Sequence, residues 1–204
     1  MTATPSPAVT VPPAPAAYLP LAHEPVFDPE VHLALTEPDA VRDLSDLGYR
    51  PDRVAAAAGP TGVTTPFRVL SPAGVAAVRE VCAALEDGAI GGHDERAPRY
   101  VPGAVHRSQF LRDLVSSPQL LAHVSRLAGV ELAPHTLPDC QAYVNYAPQD
   151  LERAVDSWHV DSIAFDIVVM LSHPAALHGG RLEWFEGTDD EAAATSEAAF
   201  AVTQ

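Results

Sequence analysis

His159 and Asp161 are separated by a single residue in a stretch that has the character of a β-strand. On an extended strand, residues i and i+2 point to the same face, so the imidazole and the carboxylate can reach one ion while Val160 points away. One imidazole and one carboxylate are two-thirds of a 2-His-1-carboxylate site, which leaves coordination positions open for a co-substrate and O₂. The pair therefore predicts a metal site with His159 and Asp161 as ligands.

The His-x-acid pattern is weak support by itself. With 9 His and 27 acidic residues among 204, roughly one match is expected by chance, and the sequence has two. His93 lies in a Gly-rich, charged loop with no strand to orient its side chain, whereas His159 follows Trp158 and precedes an apolar run. The context of each pair therefore favours the metal site at His159.

Short strands are predicted around the metal pair. Residues 139–146 alternate as a half-buried strand does, and residues 164–171 form a continuous apolar run that predicts a buried strand. Further strands are predicted at residues 157–160, 181–185 and 199–203. The C-terminal third of the sequence therefore indicates a β-rich region.

Helices are predicted earlier, between residues 36 and 128. Thr36 and Asp39 resemble a capping box, and apolar residues at helical spacing follow up to Gly48. Ser71-Pro72 and Ser117-Pro118 are start signals, since serine caps a helix and proline suits its first position. Apolar stripes follow both, and a short helix is predicted at residues 110–115. Gly129 is the stop signal of the last helix.

Helices followed by short strands predict an α+β fold that is mainly β, with a helical flank on an antiparallel jelly roll, also called a double-stranded β-helix. We divide the chain into residues 1–22, a disordered Pro/Ala-rich tail; residues 23–138, the helical flank; and residues 139–204, the first part of the jelly-roll core.

The composition limits the classes of partner that the chain is expected to bind. The net charge is −15, and all 12 basic side chains are Arg, so phosphate-rich partners such as nucleic acid and anionic membrane are disfavoured. No apolar run approaches the roughly 20 residues of a membrane span, and no secretory signal is recognisable. Cys82 and Cys140 predict free, buried thiols. A cytoplasmic protein acting on a small molecule is expected, and its oligomeric state stays open.

The region around the metal pair resembles the Fe(II)/2-oxoglutarate oxygenases of the phytanoyl-CoA dioxygenase and ectoine hydroxylase type. The resemblance covers roughly residues 65–204. It rests on Gln141-x-x-x-Asn145-Tyr146, Trp158-His159-Val160-Asp161, the apolar run 165–171, and Gly179-Gly180-Arg181-Leu182-Glu183.

The resemblance implies Fe(II) as the metal, with 2-oxoglutarate and O₂ as co-substrates. His159 and Asp161 would bind iron, and the aspartate implies hydroxylation, since halogenating relatives lack that carboxylate. Asn145 would contact 2-oxoglutarate, and Gln141 would contact either 2-oxoglutarate or the substrate. The alternative for both is a polar row inside a barrel. Tyr143 shares their predicted strand face, and Tyr143 and Trp158 would line the substrate pocket, although core packing is the alternative for Trp158.

The chain departs from this family after the metal pair. The family has a distal His and an Arg that binds the co-substrate carboxylate, and no His or Arg follows Phe185 here. His173 and His178 fall in a predicted turn, and Arg181 comes too early in the fold. We therefore expect a chain truncated before these residues, which alone binds iron weakly and turns over little.

Two other functions remain open on the sequence. One is a non-catalytic jelly-roll binding module in which His159 and Asp161 form a structural pair. The other is a zinc or nickel enzyme of the cupin type. The substrate also stays open, because Asp156, Asp166 and Glu183 suit either a cationic amine or ordinary solvated strand ends.

Overall fold

The computed structural model describes residues 19–91, 99–146 and 163–172. Its helices are α1 (Pro29–His32), α2 (Pro51–Ala56), α3 (Pro72–Leu85), α4 (Ala104–Arg107), α5 (Gln109–Val115) and α6 (Pro118–Ala128). Single 3₁₀ turns lie at Glu86–Gly88 and Pro138–Cys140. Its strands are β1 (Val41–Asp43), β2 (Thr61–Thr64), β3 (Ile90–Gly91), β4 (Arg99–Val101) and β5 (Val144–Asn145).

The core is built on α3, whose predicted start is confirmed. The Ser71 hydroxyl accepts a hydrogen bond from the Gly74 N–H (3.0 Å), and Pro72 occupies the first turn. This helix packs against α1 and α5. Its buried face is formed by Gly74, Ala77, Val78, Val81, Cys82 and Leu85. The predicted stripe therefore faces the core, with Val75 at its partly buried edge.

The predictions for the two later helices are also confirmed. Phe110, Leu111 and Leu114 of α5 are buried, as are Leu120, Val124 and Leu127 of α6. Gly129 ends α6 with φ of +70°, the left-handed conformation that suits glycine at a helix C-terminus. Ser117 precedes α6, but its hydroxyl donates to the Gln119 amide oxygen (3.1 Å) rather than capping the backbone.

α1 and α3 meet without space for a side chain between them. The Ser71 hydroxyl also donates to the Val31 carbonyl oxygen (2.6 Å), and the Ser71 N–H donates to the His32 carbonyl oxygen (3.0 Å). A Cβ atom on Gly74 would lie 2.1 Å from that same His32 oxygen. Gly74 is therefore required by the close approach of two backbones rather than by its dihedral angles.

A segment before α1 crosses the start of α5. The Glu24 carboxylate accepts hydrogen bonds from the Ser108 hydroxyl (2.5 Å) and from the N–H groups of Gln109 (2.8 Å) and Phe110 (3.3 Å). Nearby, Leu21 donates its N–H to the Arg107 carbonyl oxygen (2.8 Å). A carboxylate from 84 residues away thus satisfies donors that α5 cannot satisfy itself.

The helix predicted from Thr36 and Asp39 to Gly48 is wrong. Val41–Asp43 forms β1, which pairs antiparallel with β2, and a turn follows that ends at Gly48 with φ of +87°. Leu47 is buried in the turn. The apolar spacing in this segment fits both structures, and backbone pairing with a strand 18 residues further along decides between them.

The three strands β3, β4 and β5 form a second antiparallel sheet, in that order. Ile90 pairs with Tyr100, which in turn pairs with Asn145, and Val101 pairs with Val144. The predicted strand at residues 139–146 is therefore confirmed only at its end. Its first residues form the 3₁₀ turn instead, where Pro138 occupies the first position.

The buried strand predicted at residues 164–171 is wrong. None of the described residues from 163 to 172 belongs to a strand, and Val168 and Met170 are 70% and 56% exposed. A strand needs a hydrogen-bonded neighbour, and here the Asp166 carboxylate accepts the Ile167 N–H (2.8 Å) instead. Phe165 lies against Gly59, and Leu171 packs at the edge of the core.

The described residues confirm a mixture of helix and sheet, but helix predominates where mainly β was predicted. Their two sheets are small and antiparallel, and neither closes into a barrel. Cys82 is buried and Cys140 is half-buried, and both are free thiols. No helix in the described part of the chain combines the length and apolar character needed to cross a bilayer.

Candidate functional site

The sheet β3–β4–β5 has one face on the helical core. Val101 is fully buried in the core, and Val144 and Tyr146 pack against it. The Tyr146 hydroxyl donates to the Cys82 carbonyl oxygen (2.6 Å), one of the last carbonyls of α3 that the helix leaves without an internal partner. The Arg99 guanidinium lies 5.6 Å from the Tyr146 ring centroid and pairs with Glu86. This face therefore fixes the sheet to α3.

The Tyr146 contact gives a testable prediction. Burial raises the pKa of Tyr146 from its ordinary value near 10 to about 12. The stabilisation that the neutral Tyr146 hydroxyl contributes is therefore complete below pH 10 and is lost as the pH rises towards 12. Tyr146→Phe is expected to lower the free energy of unfolding by about 1 kcal/mol at pH 7, since one hydrogen bond is lost. Urea unfolding of both proteins from pH 7 to pH 12 measures this, and the variant should lose less stability above pH 10.

The opposite face carries the side chains that could bind a ligand. Successive residues of a strand alternate between faces, so Ile90, Tyr100 and Asn145, which are paired across the strands, lie together on it. Tyr143 joins them with its ring centroid 6.1 Å from that of Tyr100. Ile90 and Tyr143 are 49% and 52% exposed, and Asn145 is exposed. These four residues, which we call the outer face, do not belong to the helical core.

Tyr143 is held in its neutral form. Its hydroxyl donates to the Cys140 sulfur (3.6 Å). This hydrogen bond, partial burial and the nearby Cys140, Tyr100 and Asp139 raise the pKa of Tyr143 to about 12. At neutral pH the outer face therefore presents an uncharged phenol, whose O–H donates to Cys140 and whose oxygen can accept a hydrogen bond.

Asp139 lies at the edge of the outer face. Its backbone oxygen accepts the Gly103 N–H (3.0 Å), and its carboxylate is 3.4 Å from the Nε2 atom of buried His106. Gly103 has φ of +57°, and a Cβ atom there would lie 2.8 Å from that carboxylate. The Asp139 side chain remains 57% exposed. The loop before α4 therefore fixes Asp139 while leaving its carboxylate accessible to solvent.

Gln141 does not join Tyr143 and Asn145 on one strand face, as the sequence predicted. It follows the 3₁₀ turn in a helical conformation, and its Nε2 amide donates to the His135 carbonyl oxygen (2.7 Å). Its buried amide oxygen accepts no hydrogen bond from the described residues. Contact with a co-substrate at the outer face would require this side chain to leave His135.

The predicted iron ligands, His159 and Asp161, lie outside the described residues, as does Trp158. So do His173, His178 and Arg181. Within residues 19–91, 99–146 and 163–172, no group of three or more His, Cys, Asp or Glu side chains could hold a metal ion. Of the predicted site, the structure thus places Tyr143 and Asn145 together.

Sequence reasoning missed Tyr100 and Asp139 as neighbours of Tyr143. Tyr100 lies outside every predicted strand, and only its pairing with Asn145 reveals the shared face. The alternation of residues 139–146 was the available signal for Asp139, but it assigned that residue to a strand. No protein-family model, curated protein or solved structure matches the chain.

Proposed function

We propose that this chain belongs to a non-haem Fe(II)/2-oxoglutarate-dependent oxygenase that hydroxylates a small molecule. His159 and Asp161 are the proposed iron ligands, and Asn145 is the proposed contact of 2-oxoglutarate. The observation that carries the proposal is the two-faced sheet: the core supports one face, while Tyr143 and Asn145 stand on the other. In jelly-roll oxygenases such a free sheet face lines the pocket. We therefore include the jelly-roll fold in the proposal.

The donor set suits the proposed metal. Imidazole and carboxylate ligands with open positions are typical of Fe(II) sites that activate O₂. When bound, the iron supplies the oxidation, in which 2-oxoglutarate loses CO₂ to give succinate and one oxygen atom of O₂ enters the substrate. The protein's part is to hold the co-substrate and to exclude water. The exposed Asn145 amide can donate a hydrogen bond to a carboxylate of 2-oxoglutarate.

The proposal predicts that iron and 2-oxoglutarate bind cooperatively. A chelating co-substrate adds ligands to iron held by His159 and Asp161, so each must raise the affinity of the protein for the other by the same factor. We expect 2-oxoglutarate to tighten Fe(II) binding about tenfold, a coupling of about 1.4 kcal/mol. Anaerobic Fe(II) titration by calorimetry, with and without 2-oxoglutarate, measures it.

The two His-x-acid pairs provide a matched control. His159→Ala should abolish the coupling, whereas His93→Ala should leave it unchanged. Asn145→Ala should weaken the effect of 2-oxoglutarate without changing the binding of Fe(II) alone. Equal loss in both histidine variants, or Fe(II) binding indifferent to 2-oxoglutarate, would count against the oxygenase. Preferential retention of zinc or nickel at His159 would indicate the cupin-type enzyme instead.

A further inference from the structure

The tyrosine pair of the outer face is an aromatic platform. The rings of Tyr100 and Tyr143 are tilted by 37° at a centroid separation of 6.1 Å, so the two rings are direct neighbours on this face. Ile90 and Asn145 lie beside Tyr100 in the cross-strand row. Among the four tyrosines in the described part of the chain, Tyr143 is the most exposed, at 52%. Exposed aromatic area of this kind is typical of a binding surface.

Asp139 places a carboxylate beside the platform, where it also lies 3.4 Å from the Nε2 atom of buried His106. Asp139, whose charge contributes to the raised pKa of Tyr143, leaves 57% of its side chain exposed. Arg99 belongs to the other face of the sheet, where it pairs with Glu86 (3.1 Å) and covers Tyr146. The whole chain carries a net charge of −15. The field at the outer face therefore favours a cation over an anion.

We propose that Tyr100, Tyr143 and Asp139 form a binding site for a small organic cation, such as a substituted ammonium group. The negative faces of two aromatic rings attract a cation directly, and the carboxylate supplies the counter-charge. An alkylated ammonium is weakly hydrated, so it loses little on leaving water for the two rings. The Asp139 carboxylate would repel an anionic ligand, and it would not attract a neutral apolar ligand electrostatically.

The cation site stands on described residues alone, and its interpretation as a substrate site rests on the proposed oxygenase function. The two are separable because cation binding requires neither iron nor 2-oxoglutarate. If the protein binds the cation but shows no coupling between Fe(II) and 2-oxoglutarate, the cation site is supported and the oxygenase proposal is contradicted. The converse result would support the oxygenase and overturn the cation site.

Choline and 3,3-dimethylbutan-1-ol test the proposal, because they have the same shape and differ in charge. Titration of the metal-free, isotope-labelled chain with each compound, followed by NMR, gives both affinities and the amides that respond. We expect choline to bind about fivefold more tightly than the alcohol, with shifts centred on Tyr100, Tyr143 and Asn145. Equal affinities, shifts elsewhere, or no saturable choline binding would overturn the proposal.

Substitutions assign the effect to the rings and the carboxylate. Tyr143→Leu should weaken choline binding about threefold to fivefold, while Tyr143→Phe, which keeps the ring, should retain it. Asp139→Asn should reduce the preference for choline over the alcohol. Tyr49→Leu, a tyrosine near the β1–β2 sheet, is the control and should change neither affinity. Loss in Tyr143→Phe equal to that in Tyr143→Leu would show that the hydroxyl, not the ring, carries the interaction, and would overturn the cation site.

Discussion

Gly74→Ala is expected to lower the free energy of unfolding by about 2–3 kcal/mol, although alanine is the better helix former. The added Cβ would lie 2.1 Å from the His32 carbonyl oxygen and 3.0 Å from the carbonyl carbon, and both are backbone atoms that no rotamer change can move. The helices α1 and α3 must therefore separate. This separation strains the two bonds by which Ser71 holds residues 31 and 32. Urea unfolding monitored by circular dichroism measures the change.

The control for Gly74→Ala lies in the same helix. Ala76 is exposed, so Ala76→Gly reports the propensity difference at an exposed site of the same helix, expected to be about 1 kcal/mol destabilising. If propensity alone governed position 74, Gly74→Ala would stabilise the protein by a similar amount. The sign of the change at position 74 therefore tests the close approach directly, and a stabilised Gly74→Ala protein would show that α1 does not pack as described.

Glu24→Ala is expected to cost about 2–3 kcal/mol, because hydrogen bonds to a charged acceptor are the strong ones. The variant leaves the N–H groups of Gln109 and Phe110 without their acceptor. It also removes the acceptor of the Ser108 hydroxyl, in a residue that is 1% exposed. The Ser108 hydroxyl still accepts the Leu111 N–H (3.0 Å), so α5 keeps its local cap. Thermal and urea unfolding together measure the loss.

Two variants identify the cause of the Glu24 effect. Glu24→Gln keeps one carbonyl acceptor but removes the charge, so it should recover part of the lost stability. Glu80→Ala removes an exposed carboxylate from α3 and should change stability by less than about 0.5 kcal/mol. Hydrogen exchange should show the Gln109 and Phe110 amides as the most affected in Glu24→Ala. Unchanged exchange at these amides would contradict the proposed cap.

Both predictions concern the scaffold of the outer face. α3 carries the carbonyl that accepts the Tyr146 hydroxyl, and Gly103, whose N–H binds Asp139, immediately precedes α4, which is followed by α5. Loosening either contact changes the support on which Tyr143 and Asn145 stand. The helical core thus supports the candidate site, because it fixes one face of the short β3–β4–β5 sheet. The strands of this sheet have only two or three residues each and could not hold it alone.

Features with local causes follow directly from the sequence. Ser71-Pro72, the stripe of α3 and Gly129 were predictable because a cap, an amphipathic face and a left-handed residue act within one or two helical turns. The wrong predictions share a different cause. The segment before Gly48 has a pattern that fits more than one structure, and pairing with β2 decides between them. The run at residues 164–171 also fits a strand by its pattern, yet none of its residues forms one.

Contacts between side chains that are distant in the sequence depend on the tertiary structure. Tyr100 and Asn145 are neighbours through strand register, and Glu24 reaches α5 across 84 residues. Neither contact leaves a periodic signal in the sequence, because such contacts depend on backbone pairing and packing between distant segments. The metal site at His159 and Asp161 remains a prediction from residue type and spacing. What the fold adds is a supported sheet whose free face carries Tyr143 and Asn145.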